Sequence, residues 1–217
     1  HSLVNLTGNR ELIFWLGNCF LSLGLLGILF ISWWQKDLTL IGIILLCCGL
    51  GYLYQGPPFR LGYKGLGEIL CFFAFGPLGV SAGYYSQTQS WSLTSLAASI
   101  IVGITTTLIL FCSHFHQVKA DLAAGKLSPI VRLGTERSSQ VLNLATGSIY
   151  GFILIFVICG FFPYWTILSW SSLPFAFKLC NHVAENYNQP LKVSNSKFIA
   201  IAVQFWCCLL LGIGFVL

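Results

Sequence analysis

His114, Gln117 and Asp121 stand at i, i+3 and i+7, so on a helix an imidazole, an amide and a carboxylate would share one face. Three cations follow closely: Lys126, Arg132 and Arg137. An Arg can grip a diphosphate through two parallel N–H donors, and a Lys adds a point charge. A carboxylate beside such cations suits Mg²⁺, which is usually held by one or two carboxylates together with substrate phosphate oxygens and water. Asp121 is the only carboxylate on that face, and Glu68 is the only near candidate for a second. The group therefore points to an anion site, with phosphate the favoured anion. His114 could orient a substrate. His116 lies two residues on, about 200° around a helix, so a shared transition metal is not expected and His116 reads as structural.

A second segment has the same character: Tyr54-Gln-Gly-Pro-Pro-Phe-Arg-Leu-Gly-Tyr-Lys-Gly-Leu-Gly-Glu68. Pro57 and Pro58 are expected to stop the preceding helix, and Gly62, Gly65 and Gly67 to allow a tight return into the next. Arg60 and Lys64 are four apart, so in a helical turn they would point the same way. In the first segment, Gly125 is expected to end a helix and Pro129 to keep it from resuming for several residues.

The elements that must position these residues are apolar. Of 217 residues, 56% are hydrophobic and 8% charged, and the mean hydropathy is +0.82, outside the range of ordinary globular domains. Seven apolar blocks, 12–34, 38–54, 66–86, 91–113, 138–159, 163–182 and 197–217, are long enough to cross a ~30 Å hydrocarbon core as helices. Spanning β-strands would alternate apolar and polar residues, and Val102-Gly-Ile-Thr-Thr-Thr-Leu-Ile-Leu110 does not. The chain reads as an all-α polytopic membrane protein, a single transmembrane domain over 1–217 with seven transmembrane helices.

The net charge of +5 is set by membrane sidedness and does not indicate nucleic acid. If the first span begins on side A, that side receives Arg10, Arg60, Lys64, Lys119, Lys126, Arg132, Arg137, Lys178, Lys192 and Lys197, and side B keeps only Lys36. The positive-inside rule makes side A cytoplasmic or its equivalent. Connections on side B are short, which predicts antiparallel hairpins. Trp33, Trp34, Tyr84, Tyr85, Trp91, Tyr164 and Trp165 gather near the side B ends as an interfacial belt. The nine cysteines lie in the apolar blocks with no Cys-x-x-Cys pair, so they read as small buried hydrophobes.

The run His114-Phe-His-Gln-Val-x-x-Asp-x-Ala-Ala-Gly-Lys-x-Ser-Pro-x-Val-Arg-Leu-Gly-Thr135 resembles the second aspartate-motif region of the UbiA-type intramembrane prenyltransferases. Within that family it is similar to the enzymes that attach a phytyl tail to 1,4-dihydroxy-2-naphthoate. The Tyr54–Glu68 segment and the opening His1–Asn9 resemble the same group. The resemblance covers essentially the whole chain. It implies a bundle of nine transmembrane helices around a cavity open to the cytoplasmic or stromal side, in a cyanobacterial plasma or thylakoid membrane or a plastid membrane. It also implies Mg²⁺ as cofactor, phytyl diphosphate and an aromatic naphthoate as substrates, the lipid bilayer as surroundings, and loss of the naphthoate carboxylate during transfer. By position, Asp121 would assist Mg²⁺–diphosphate binding, with Gln117 in the place of the motif's first Asp. Arg60, Lys64, Lys126 and Arg132 would contact diphosphate, Tyr54 would face the ionising carbon or the diphosphate, and His114 and Glu68 would adjoin the acceptor.

Two departures accompany the resemblance. The family's first motif, an Asn-Asp-x-x-Asp segment, is expected ahead of His1, and a chain that starts at His1 with no methionine is expected to be N-terminally incomplete. Lys119 and Ala120 stand where acidic residues are frequent. The sibling reading is a menaquinone-type polyprenyl or homogentisate phytyl transferase. A remote one is an organic-anion transporter, but that would show inverted repeats and broken helices near the midplane, and here the polar residues collect at one face. Asn5-Leu-Thr matches a glycosylation triplet that carries no meaning on a cytoplasmic face. The 217 residues by themselves are expected to give no turnover, which an assay of prenyl transfer by this chain alone checks directly.

Overall fold

The computed structural model describes residues 7–217. His1–Leu6, which include the Asn5-Leu-Thr start and most of the opening segment His1–Asn9, lie outside the described residues. The chain forms two compact units, one ending at Leu45 and the other Leu46–Leu217.

In the first unit, α1 (Arg10–Gln35) starts where the Asn9 side chain accepts from the Leu12 N–H at 3.0 Å, satisfying one of the unpaired donors of a helix start. It ends at Lys36, which takes a left-handed conformation. Asp37 Oδ1 then accepts from the Thr39 N–H at 2.8 Å and its hydroxyl at 2.7 Å, which starts α2 (Thr39–Gln55). α1 exposes Phe14, Trp15, Phe20, Trp33 and Trp34, as a helix solvated by lipid does.

In the second unit, Arg60 precedes a 3₁₀ turn, Leu61–Lys64. A 22-residue span, Gly67–Thr88, follows. It comprises α3 (Gly67–Phe73), a π turn (Ala74–Leu78) and α4 (Gly79–Thr88). The π turn has a cause in sequence: Pro77 lacks an N–H and its ring would strike the carbonyl four residues back, so the ladder widens by one residue there. α5 (Leu93–Phe115) begins with Ser92 Oγ accepting from the Ser95 N–H at 3.2 Å. Two short helices, α6 (Val118–Ala123) and α7 (Pro129–Leu133), lead to the long α8 (Thr135–Ile158). The chain finishes with a 3₁₀ segment (Tyr164–Ser172), α9 (Leu173–Asn186), α10 (Pro190–Val193) and α11 (Ser196–Val216).

Among the described residues, five helices are long and apolar enough to cross a membrane: Arg10–Gln35, Gly67–Thr88, Leu93–Phe115, Thr135–Ile158 and Pro190–Val216. They coincide with five of the seven expected spans. The sixth, α2, has 17 residues, about 26 Å of helix. The seventh block, expected as one span over 163–182, is divided. Thr166, Ser169 and Ser172, each fully buried, return their hydroxyls to the carbonyls of Pro163, Thr166 and Ser169 at 2.6, 2.6 and 2.7 Å. Residues three apart eclipse on a 3₁₀ helix, so the three small side chains form one stripe. Gly214 of α11 fits against it, where a Cβ would lie 2.5 Å from Thr166 Cα. Pro174, without a donor, opens the α-helix that follows.

α5 is the hub. Ile101, Leu108, Phe111, Cys112 and Phe115 pack with Leu142, Ile149 and Ile153 of α8 and with Val203, Cys207 and Leu211 of α11. On another side of α5 the span holding Glu68 comes very close. A Cβ on Gly76 would lie 2.7 Å from Ser99 O and 2.8 Å from Gly103 Cα, and one on Gly103 would lie 2.7 Å from the Phe72 ring. Small residues that let backbones meet are the usual means of joining helices in lipid. Gly76→Ala should therefore destabilise the protein by about 1–3 kcal/mol, because backbone atoms cannot yield. Gly83→Ala, with open space around it, should be neutral or slightly stabilising. Thermal unfolding of the two variants in the same detergent checks the contrast, and equal midpoints would refute it.

Candidate functional site

Glu68 lies in the first turn of α3, where a carboxylate is favoured by the unpaired N–H groups. His114 is in the last turn of α5. Both are buried, at 9% and 3% exposure, and His114 Nδ1 is 2.8 Å from Glu68 Oε1. The other ring nitrogen, Nε2, is 2.9 Å from Lys126 Nζ. An ammonium has donors only, so Nε2 accepts and the ring proton sits on Nδ1, donated to Glu68. Lys126 Nζ is also 3.6 Å from Asp121 Oδ1, an ion pair too long for a hydrogen bond. Carboxylate, imidazole, ammonium and carboxylate thus form one chain from α3 to the loop after α6.

Local structure places the second half of that chain. Gln117 precedes α6, and its carbonyl accepts from the Asp121 N–H at 2.8 Å. Gly125, with φ 67°, lets the backbone turn back so that the Lys126 N–H donates to Asp121 O at 2.8 Å. Lys126 is thereby folded over Asp121, whose side chain is 8% exposed. Asp121 Oδ2 and Glu68 Oε2 are both buried without a hydrogen-bond partner. Unsatisfied carboxylate oxygens are costly, so these mark where an incoming cation or donor would be welcome.

The two loops are joined by backbone. The Leu127 N–H donates to Tyr63 O at 2.7 Å, and Arg132 donates from Nη2 to Lys64 O at 2.6 Å and from Nε to Leu127 O at 3.3 Å. Gly65, at φ 77°, sits where a Cβ would be 2.6 Å from Leu127 O. Neither the Tyr63–Leu127 bond nor the Glu68–His114 contact has a signal in the sequence, because residues 46 or more apart are joined by packing alone.

Several expectations are modified. His114, Gln117 and Asp121 do not share one continuous helix: α5 ends at Phe115 and α6 starts at Val118. His114 has both ring nitrogens engaged within the protein. Gln117 Nε2 is 3.5 Å from His116 Nε2. Burial, with Lys197 and His114 nearby, holds the His116 imidazole below its ordinary pKa. Arg60 and Lys64 do not converge as a helical i, i+4 pair, because Arg60 is left-handed and outside a 3₁₀ turn in which residues three apart align. Arg60 instead lies over the Tyr63 ring, 5.8 Å from its centroid, and the Lys64 side chain is exposed. Arg132 spends two donors on loop carbonyls. Pro129 opens a helix where it was expected to prevent one; at the first helical position its missing N–H is no loss.

Below the charges the surroundings turn apolar. Glu68 borders a cleft of about 360 Å³ walled by Ile69, Phe72, Ile104, Leu108 and Leu142. Tyr54, whose ring rests against Gly62 and Gly67 and lies within electrostatic reach of Glu68 and Asp121, borders a second of about 250 Å³ with Leu50, Leu70, Cys71, Phe75 and Leu110. Among the described residues no group of three or more His, Cys, Asp and Glu forms a self-sufficient metal cage. One free oxygen on Asp121 beside a lysine fits a metal that arrives bridged to phosphate.

The UbiA prenyltransferase family profile matches residues 9–214. A 2-carboxy-1,4-naphthoquinone phytyltransferase of Synechocystis sp. (strain ATCC 27184 / PCC 6803 / Kazusa) is 53% identical over 215 residues, 99% of this chain and 70% of that protein. Its chloroplastic namesake in Arabidopsis thaliana is 36% identical over 224 residues, 100% of this chain and 59% of that protein. A 1,4-dihydroxy-2-naphthoate octaprenyltransferase of Mycobacterium tuberculosis (strain ATCC 25618 / H37Rv) is 23% identical over 175 residues, 80% of this chain and 58% of that protein. No solved structure matches the chain significantly.

Arg132→Lys would lose the planar fork that reaches both carbonyls. Trypsin should then cut after Lys64 several-fold faster in the folded protein, a rate set by local opening. Peptide mapping over a time course checks this, and an unchanged rate would show that the fork does not hold the loops together.

Proposed function

The chain belongs to the UbiA prenyltransferase family and is an integral membrane protein, and from that premise we propose that it transfers a phytyl group from phytyl diphosphate to 1,4-dihydroxy-2-naphthoate, with loss of the carboxylate as CO₂. One observation carries this reading: a buried carboxylate with a free oxygen and a lysine folded over it stand beside apolar clefts in a chain of membrane spans. That is the arrangement a headgroup bearing several negative charges on a long aliphatic tail requires. The phytyl tail rests on the likeness to proteins named for phytyl transfer to 2-carboxy-1,4-naphthoquinone, and the acceptor is written in its reduced form, 1,4-dihydroxy-2-naphthoate, which the name of a third relative carries.

Family members generally depend on a divalent metal. Mg²⁺, when bound, would neutralise charge that develops on the departing diphosphate. Asp121 would contribute one ligand through Oδ2. Lys126 would place an ammonium on a phosphate oxygen, and exposed Lys64 and Arg60 would add positive potential that draws the anion in. As the allylic C–O bond breaks, its electron pair leaves with the diphosphate. The ring carbon bearing the carboxylate forms the new C–C bond, and the electrons of the departing CO₂ restore the aromatic ring. No net proton is taken up or released when the acceptor is a carboxylate. The hydrophobic walls around Glu68 and Tyr54 keep water from the allylic centre. The site would face the cytoplasmic or stromal side, where the Lys and Arg residues collect.

The test is the full natural chain in membranes, supplied with phytyl diphosphate, 1,4-dihydroxy-2-naphthoate and Mg²⁺, with product followed by mass. Phytylated naphthalenediol, CO₂ and diphosphate should appear in equal amounts, and EDTA should stop the reaction. Asp121→Asn should lower the rate about 100-fold or more, the usual loss when one stabiliser of developing charge is removed. Full activity of Asp121→Asn would remove that residue from the site. Transfer of only an octaprenyl tail would overturn the choice of donor.

A further inference from the structure

Lys126 has one firm partner and one loose one. Its ammonium is 2.9 Å from His114 Nε2 and 3.6 Å from Asp121 Oδ1. A lysine stem is flexible, and an ammonium steered only by the longer contact would be poorly placed. His114 supplies the direction, and it can do so only as the Nδ1–H tautomer. Glu68 enforces that tautomer by accepting the Nδ1 proton at 2.8 Å. His114 is not free for substrate as arranged: both imidazole nitrogens are used, and it is 3% exposed.

We propose that Glu68 and His114 are positioning residues that tether Lys126, so that a metal–diphosphate headgroup draws its ammonium from Asp121 to a phosphate oxygen while the bond to His114 is kept. The inference rests on the prenyl-diphosphate reading above and assigns to two residues a role that reading leaves open. No proton moves and no covalent bond changes in the exchange. Before binding, the ammonium offsets the Asp121 charge in a poorly solvated place; afterwards the metal offsets it and the ammonium meets the diphosphate. The buried, unpaired Asp121 Oδ2 is the atom left for the metal. If the Glu68 carboxylate is lost, the ring can carry its proton on Nε2 instead. Nε2–H then faces an ammonium that cannot accept, and the tether becomes a repulsion.

A double-mutant cycle tests this in the full natural chain, with inorganic pyrophosphate plus Mg²⁺ as the probe and calorimetric affinity as the readout. Lys126→Ala should weaken binding about 30-fold and Glu68→Gln about tenfold, while the double variant should match Lys126→Ala within about twofold, as coupled groups in one network behave. A residue acting only on the fold would give additive losses. Additivity, or unchanged binding in Glu68→Gln, overturns the tether and leaves the transfer reaction standing. His114→Gln in place of Glu68→Gln gives an independent cycle should the first variant fail to accumulate, with the same two outcomes. If the unaltered protein does not bind Mg²⁺–pyrophosphate, the tether is overturned, and the phytyl-transfer assay decides the reaction separately.

Discussion

A charge withdrawn from water must be matched where it lies, and in a chain with so few charges that requirement organises the polar end of the bundle. Glu68, His114, Lys126 and Asp121 are matched to one another in series. Each link ties a different piece of backbone: the first turn of α3, the last turn of α5, and the loop closing α6. The series therefore acts as a seam. Removing a member leaves a buried group unpaired, which costs more than the lost contact itself is worth. Two carboxylate oxygens remain outside the seam, and they give the site its appetite for a cation.

The seam can close only because the helices beneath it approach closely. Gly76 and Gly103 bring the span carrying Glu68 against α5, which carries His114. In lipid there is no hydrophobic drive between helices, so steric fit at such points decides the pairing. The same logic operates where Gly214 meets the 3₁₀ segment. There Thr166, Ser169 and Ser172 satisfy their own hydroxyls on the preceding carbonyls and leave a smooth stripe for α11. Both contacts use small residues, one to admit a ring and a backbone, the other to admit a helix.

The loops above the seam are ordered by backbone more than by charge. The Tyr63–Leu127 hydrogen bond and the Arg132 fork on Lys64 O and Leu127 O hold the two polar segments together. Arg132 is thus a builder of the site's rim. Arg60 and Lys64 stay exposed on it, available to attract an anion but not converging on a common point in this arrangement.

Periodicity and punctuation in the chain were enough to determine that it is an all-helical membrane protein, and five of the seven expected spans coincide with long apolar helices. Helices and closed barrels are the two ways in which a backbone satisfies itself in lipid, and apolar runs that do not alternate leave only the helix. Local chemistry was legible too: Pro57 and Pro58 after α2, and Gly125 after α6, end helices because of their own backbone properties. The polar segments at 54–68 and 114–137 were visible as candidates because charge is rare elsewhere. What the sequence could not contain was partnership. Glu68 with His114, Lys126 with His114, and Arg132 with Lys64 O are meetings set by helix packing, not by spacing along the chain. The division of the 163–182 block and the helix begun by Pro129 also waited on tertiary structure. In each, a residue's local tendency permits two outcomes, and the neighbour it packs against selects one.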